Sequence, residues 1–169
     1  MKRKTFLKTS LAAGASFTIL PSGLWAGSKK NSTMQLAQIG TGRMGRGDMM
    51  NALNNGRKDH VNARMVAVCD VDRSRAEDAR RKVVKSYEDK GETGVACQLE
   101  TDYRKLLSRD DIDGVVVSTP ENWHALIGVA AAKAGKHIYL QKPLTYSIPE
   151  GQKLVEAIRK NRVVLQTGS

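Results

Sequence analysis

From Met34 onward the chain repeats one pattern: a short apolar run, a turn, then an amphipathic stretch. Apolar runs at 35–39, 64–69, 114–119 and 137–140 have the length and β-branched content of strands. Shorter runs at 96–99 and 163–165 suggest two more strands. Between them the apolar spacing turns helical. One helix is expected over 43–54, stopped by Asn55-Gly56, and a second from a Ser74 cap to about Tyr87. Asp102 begins a short helix carrying Tyr103, Leu106 and Leu107, and a helix over 123–134 ends at Gly135. Pro149-Glu150 opens the last one, to about Lys160. Strand and helix in alternation predict an α/β fold, a doubly wound parallel sheet with helices on both faces.

Residues 1–26 do not share this pattern. They read MKRKTFLKTSLAAGASFTILPSGLWA: a basic start, a modestly apolar core from Leu11 to Leu20, and the helix breaker Pro21. That is the organisation of an export signal, and 27–33 is a polar linker. Arg3-Lys4-Thr5-Phe6-Leu7-Lys8 resembles a twin-arginine signal with Lys4 in place of the second arginine, so the expected route to the periplasm is Tat-like or Sec. The competing reading, an amphipathic helix belonging to the domain, fits poorly with the absence of acids before Asp48. The leader also changes the charge picture. Lys plus Arg number 28 against 17 Asp plus Glu, a net +11, but Lys2, Arg3, Lys4 and Lys8 leave only +7 for the rest. A moderate excess of that size suits an anionic ligand without identifying one.

The basic stretch after Ser74 interleaves acids and bases at helical spacing, with pairs such as Arg73–Glu77, Glu77–Arg81 and Asp78–Lys82. It lacks aromatic stacking partners, so a solvated helix is expected rather than a nucleic-acid face. Cys69 and Cys97 have no metal or redox spacing, and no metal site is expected. Cys69, in an apolar run, reads as a small core residue. No stretch is long and apolar enough for an ordinary membrane span.

Chemistry concentrates at the ends of the strands. Gly40-Thr41-Gly42-Arg43-Met44-Gly45 is a G-x-G-x-x-G turn after a strand and before a helix. Gly40 permits the tight turn, Gly42 lets backbone approach a pyrophosphate, and Gly45 lets helix and strand pack closely. The following N–H groups, from Arg43 and Met44 on, face the phosphates with the positive end of the helix dipole. Asp70, ending the second strand, could accept hydrogen bonds from a ribose and disfavour the extra phosphate of NADP; Arg73 nearby would soften that choice. The alternative is a turn aspartate. Ser118-Thr119-Pro120-Glu121-Asn122-Trp123-His124 follows the fourth strand, where ligands of open parallel sheets bind. There Asn122 is either a helix cap or a cofactor contact, and His124 alone would be an ordinary satisfied histidine. Gln141-Lys142-Pro143 follows the fifth strand. The Lys142 ammonium could hold a substrate hydroxyl and steady its developing negative charge, though taken alone it would be a surface lysine. The proline forces an extended or turning backbone that could be cis.

The glycine loop, Asp70, Thr119-Pro120-x-x-x-His124, Ala134-Gly135-Lys136-His137 and Lys142-Pro143, in that order, resemble the N-terminal domain of the Gfo/Idh/MocA oxidoreductases, a family that includes glucose–fructose oxidoreductase and inositol dehydrogenase. The resemblance runs from about Met34 to the end of the sequence and implies a Rossmann domain over 34–169 that binds NAD, with NADP the less favoured cofactor. By the same resemblance Lys142 touches nicotinamide and substrate, while Thr119, Pro120, Asn122, His124 and Gln141 line the cofactor pocket. The usual signature is Glu-Lys-Pro; Gln141 departs from it and supplies an amide where the family has a charge. The resemblance also implies a second α+β domain, with the substrate pocket, the acid–base residues and any oligomer contacts, which is expected to be absent from these residues. The chain is therefore expected to be the nucleotide-binding half of an oxidoreductase for a sugar, polyol or derivative, inactive alone. Two alternatives stand beside it: an NAD-dependent glycosidase or lyase relative using transient oxidation, and a non-catalytic nucleotide-binding module.

Overall fold

The computed structural model describes residues 33–58 and 61–168. The export leader expected over 1–26, and nearly all of the linker after it, lie outside the described residues. Six parallel strands form one sheet: β1 (Met34–Ile39), β2 (Ala63–Cys69), β3 (Gln98–Glu100), β4 (Gly114–Val117), β5 (His137–Leu140) and β6 (Leu165–Thr167). Their order across the sheet is β3-β2-β1-β4-β5-β6. The connecting helices are α1 (Arg43–Gly56), α2 (Arg73–Glu88), the short α3 (Tyr103–Leu107), α4 (His124–Lys133) and α5 (Ile148–Asn161). A 3₁₀ turn, Glu121–Trp123, leads into α4. The doubly wound parallel sheet expected from the alternation, and the Rossmann fold implied by the family resemblance, are what is observed.

Two hydrophobic clusters explain why each segment folds as it does. Met49 and Leu53 of α1 and Ala79, Val83 and Tyr87 of α2 bury against Met65 and Val68 of β2. Leu106 and Leu107, Ile127 and Ala131, and Leu154 and Ala157 bury against Ile39, Val115, Val117, Ile138 and Leu140. All four residues of β4 are buried, so Gly-Val-Val-Val has no polar face to alternate. Each Leu- or Val-sized side chain removed from water contributes about 1.5–3 kcal/mol. The phenol of Tyr87 completes the first cluster by accepting the Met65 N–H (2.8 Å), with the Arg57 guanidinium 4.8 Å above its ring.

Local boundaries depart from the sequence pattern in several places; α1 runs through the Asn55-Gly56 expected to stop it and ends at its Arg57 C-cap. The N-cap of α2 is Asp72, not Ser74: its carboxylate accepts from the N–H groups of both Ser74 and Arg75. The Ser74 hydroxyl, which donates to the same carboxylate, and then those N–H bonds hold the Asp72 carboxyl below the usual carboxylate range. On α2 itself Arg73–Glu77 and Lys82–Asp78 pair as expected, while Arg81 turns to Asp78 (3.6 Å). Strand β3 starts two residues later than the 96–99 run. Strand β6 starts at Leu165 because Arg162, in the left-handed region (φ 54°), closes α5 and Val163 N–H still points back to Ile158 O. Finally, the fourth strand stops at Val117, two residues before the end of its apolar run.

That early stop positions the site. Strand β1 pairs with β4 from Leu36–Gly114 to Ile39–Val117, so the two strands finish level. The chain order reverses between them, since β1 leads to β2 on one side and β4 to β5 on the other. Such a reversal opens a crevice at the carboxyl ends of the strands. Gly40 and Ser118 stand on its two lips.

Candidate nucleotide site

The loop that leaves β1 closes only with glycine at two of its three signature positions. Gly40 has φ 84°, and a Cβ there would lie 2.7 Å from the Ser118 carbonyl oxygen. At Gly45 a Cβ would penetrate the Gly40 carbonyl, with its carbon at 2.8 Å. Gly42 differs. A Cβ there meets nothing within 4 Å, so its bare backbone borders open space rather than protein. The ladder of α1 begins with Arg46 N–H to Gly42 O, which leaves the N–H groups of Arg43, Met44 and Gly45 ahead of it without intrahelical acceptors. Gly42 is the N-cap and brings no side-chain cap; the first turn holds no acid, and Arg43 and Met44 are exposed. Open space edged by N–H donors and arginine is chemically matched to a pyrophosphate.

Asp70 sits beside this loop and holds it. Its Oδ2 accepts from Thr41 N–H (2.7 Å) and Thr41 Oγ1 (3.0 Å), and Oδ1 accepts from Asp72 N–H (3.0 Å). Thr41 is buried, so this carboxylate is oriented by the glycine turn itself. The side chain remains half-buried, with acceptor capacity left on Oδ1. Next to it the Cys69 thiol is pushed up to about 12, first by burial and then by the Asp70 charge, which makes it inert.

On the opposite lip, Thr119 is half-buried and its Oγ1 is a buried oxygen with no hydrogen-bond partner. An unpartnered hydroxyl at the switch point has a donor and acceptor to offer a ligand. Pro120 and Asn122 are exposed, and α4 has Trp123 as N-cap, so Asn122 does not cap it. His124 is buried, and its ring bridges two turns: Nδ1 lies 2.6 Å from Pro143 O and Nε2 2.8 Å from Thr119 O. It therefore ties the β4 turn to the β5 turn. Lys142 is exposed, and its peptide bond to Pro143 is cis.

Gln141 is buried beneath Lys142, and its Oε1 accepts the Lys142 N–H (2.7 Å). Its Nε2 donates to Asp48, 3.1 Å from Oδ2 and 3.3 Å from Oδ1. The Ser118 hydroxyl donates to the same Asp48 Oδ2 (2.7 Å), and Gln38 Nε2 donates to Ser118 Oγ (3.2 Å) and Gly40 O (2.8 Å). Sequence reasoning did not single out Asp48, Gln38 or Thr41, and placed Ser118 only as one member of the stretch after the fourth strand. Two left a signal: Gln38 is a polar residue in an apolar strand, and Asp48 is the first acid in the chain. Among the described residues, no three His, Cys, Asp or Glu side chains converge as metal ligands.

The residues thus fit a dinucleotide: open backbone at Gly42, free N–H groups on α1, a carboxylate at the end of β2 and an unpartnered hydroxyl across the crevice. Comparison with known proteins points the same way. The oxidoreductase family with an NAD-binding Rossmann fold, GFO_IDH_MocA, matches residues 34–169. The uncharacterized oxidoreductase YrbE of Bacillus subtilis is 33% identical over 130 residues, covering 77% of this chain and 33% of that protein. An α-N-acetylgalactosaminidase of Shewanella oneidensis is 31% identical over 96 residues, 57% of this chain and 20% of that one. The fold also superposes on myo-inositol 2-dehydrogenase from Lactobacillus plantarum (TM-score 0.66, 23% identity, 80% of this chain and 36% of that chain). The chain spans a third or less of the length of these two curated relatives. It belongs to the Gfo/Idh/MocA oxidoreductase family, and residues 34–169 are the NAD-binding Rossmann domain of that family.

Proposed function

We propose that this chain is the nucleotide-binding part of a nicotinamide-dependent oxidoreductase that acts on a sugar, polyol or related alcohol. The observation that carries the proposal is the open Gly42 backbone on one lip of the β1–β4 crevice, with Thr119 and Lys142 at the neighbouring strand ends. A bound nicotinamide would supply the hydride acceptor. The chain's own groups would do the rest of the positioning. The α1 N–H groups hold the pyrophosphate, Asp70 accepts from the adenosine ribose, and Thr119 Oγ1 contacts the nicotinamide half. The Asp70 charge favours NAD over NADP. Lys142, exposed at the β5 end, donates to the substrate hydroxyl and stabilises negative charge as it develops there. The proton acceptor would come from the second domain typical of the family.

The leader supports an exported protein, and export sets a constraint, because free NADH has no obvious recycling pool outside the cytoplasm. The nucleotide is therefore proposed to be tightly held and recycled in place. Purified full-length protein, gel-filtered and then denatured, should release NAD(H); release of no nucleotide refutes that retention. The direct test of the site is titration of the chain with NADH, followed by fluorescence. Absence of saturable binding would refute the cofactor reading.

The similarity to an α-N-acetylgalactosaminidase favours a second reading, glycosidic cleavage by transient oxidation of the sugar. Product analysis separates the two: a net oxidised sugar for a dehydrogenase, an unoxidised sugar released from its aglycone for a glycosidase.

A further inference from the structure

We propose that Asp48 is a positioning residue for the Gln141–Lys142 turn, and that its carboxylate dictates an amide at position 141. The role rests on the cofactor reading above, since the turn it holds is the proposed nicotinamide and substrate edge.

Hydrogen-bond polarity carries the argument. Lys142 N–H is a donor, so the Gln141 atom facing it must be the oxygen (2.7 Å). The other end of the same amide must then be the NH₂ group, and it faces both oxygens of Asp48 (3.1 and 3.3 Å). Asp48 accepts only, and its second donor is the Ser118 hydroxyl (2.7 Å), which itself accepts from Gln38 Nε2 (3.2 Å). Gln38 is anchored in turn to the Gly40 carbonyl (2.8 Å). Every bond in the series has one permitted direction. It links the glycine turn, β4, α1 and the lysine turn through one carboxylate. A glutamate in place of Gln141 would still accept the Lys142 N–H but would set a second acceptor against Asp48. Two carboxylates at this distance in a half-buried setting do not both stay charged without repulsion; they share a proton at low pH and separate as it leaves.

Among the described residues lining the cavity beside Asp48 there is no lysine or arginine. The titratable side chains lining the cavity beside Asp48 are His137 and Tyr139 of β5, and His137 Nδ1 already accepts the Val164 N–H (3.1 Å). Asn51 and Asn55 of α1 are the other polar side chains of the helix there. The exposed Lys142 is the nearest cation in the sequence to this turn.

The test uses the whole chain as wild type, Q141E and D48N/Q141E. The double variant exchanges the two functional groups. The amide introduced at position 48 donates across the gap, and its oxygen accepts from Ser118. The carboxylate introduced at position 141 takes that bond and still accepts the Lys142 N–H, so the pattern is restored with the charge moved across. NADH affinity is measured by fluorescence and melting temperature by circular dichroism between about pH 4 and about pH 8.5, a window that spans the loss of the shared proton from a half-buried carboxylate pair. Q141E should bind NADH within roughly 3-fold of wild type at the acid end and at least ~10-fold more weakly at the alkaline end, with the double variant recovering most of the loss. The Q141E melting temperature should fall over the same range. A Q141E-to-wild-type affinity ratio that is flat with pH, or a double variant no better than Q141E, overturns the proposal. Melting that changes with pH while NADH affinity does not overturns it too, because the pair is then structural only. Wild type that binds no NADH overturns the cofactor reading, and the positioning role with it. The melting series, which needs no nucleotide, shows separately whether the Asp48–Gln141 pair exists.

Discussion

Gly42 and Gly45 carry the same side-chain-free backbone for opposite reasons, and replacing each with alanine separates them. At Gly45 the new methyl would penetrate the Gly40 carbonyl, whose carbon lies at 2.8 Å, against an ordinary contact of 3.4–4 Å. Helix α1 must move off β1 by something near the difference. Overpacking of that kind costs about 1–3 kcal/mol. The same shift pulls Gly40 O away from Gln38 Nε2, now at 2.8 Å, and an unsatisfied buried polar group costs about 1–3 kcal/mol more. A combined loss near ~3 kcal/mol, at a urea m-value of ~1.5 kcal/mol/M, lowers the unfolding midpoint by about 2 M. At Gly42 the backbone has φ −63° and a Cβ meets nothing within 4 Å, so G42A should unfold within ~0.5 kcal/mol of wild type. Its methyl instead fills the space where a pyrophosphate must approach, and NADH affinity should drop at least ~10-fold, or ~1.4 kcal/mol. Urea denaturation followed by circular dichroism, and NADH fluorescence titration, read the two effects. If G42A lost stability as G45A does, or bound NADH as wild type does, the assignment of open space at Gly42 to a ligand would be wrong.

Other expectations follow from the same geometry. H124F removes the ring N–H that donates to one of the two facing carbonyls, Pro143 O or Thr119 O, leaves that carbonyl without its partner, and should cost about 1–3 kcal/mol in urea unfolding. D70N removes the charge at the end of β2 and sets an NH₂ group against the Thr41 or Asp72 N–H; the NAD-to-NADP affinity ratio should fall by roughly 10-fold, and an unchanged ratio would dissociate Asp70 from ribose recognition. The Cys69 and Cys97 thiols are both pushed up to about 12, chiefly by burial. A raised thiol contributes stability that is present below its unfolded value and is lost as pH rises toward the folded one. The unfolding free energy should therefore decline between about pH 9 and about pH 12, and C69A/C97A should flatten that decline. In acid the sign reverses: the Asp72, Asp78 and Asp102 carboxyls are held low by their hydrogen bonds, so what they contribute is lost only as pH falls below about 4.

Wherever one local period governs, the sequence by itself was enough. Alternating apolar runs and helical spacing located all six strands and five helices to within a few residues, and six strands joined by helices left a parallel doubly wound sheet as the economical arrangement. The glycine spacing, Asp70 and the Lys142-Pro143 pair were likewise legible, because each motif lies within a few consecutive residues. Boundaries slipped where two local signals competed. Asp72 outranked Ser74 as a cap because a carboxylate could take two N–H bonds, and the left-handed Arg162 delayed β6 past an apolar pair. Tertiary structure alone decided how the site is held together. Asp48 meets Ser118 across 70 residues and Gln141 across 93, and Thr41 meets Asp70 across 29. None of these pairings has a period or a spacing to betray it. They exist because β1 and β4 end level at the switch point, a consequence of sheet order and register. The amide at position 141 shows the difference most plainly: in the sequence it is a missing charge, and in the fold that charge stands opposite it, on Asp48.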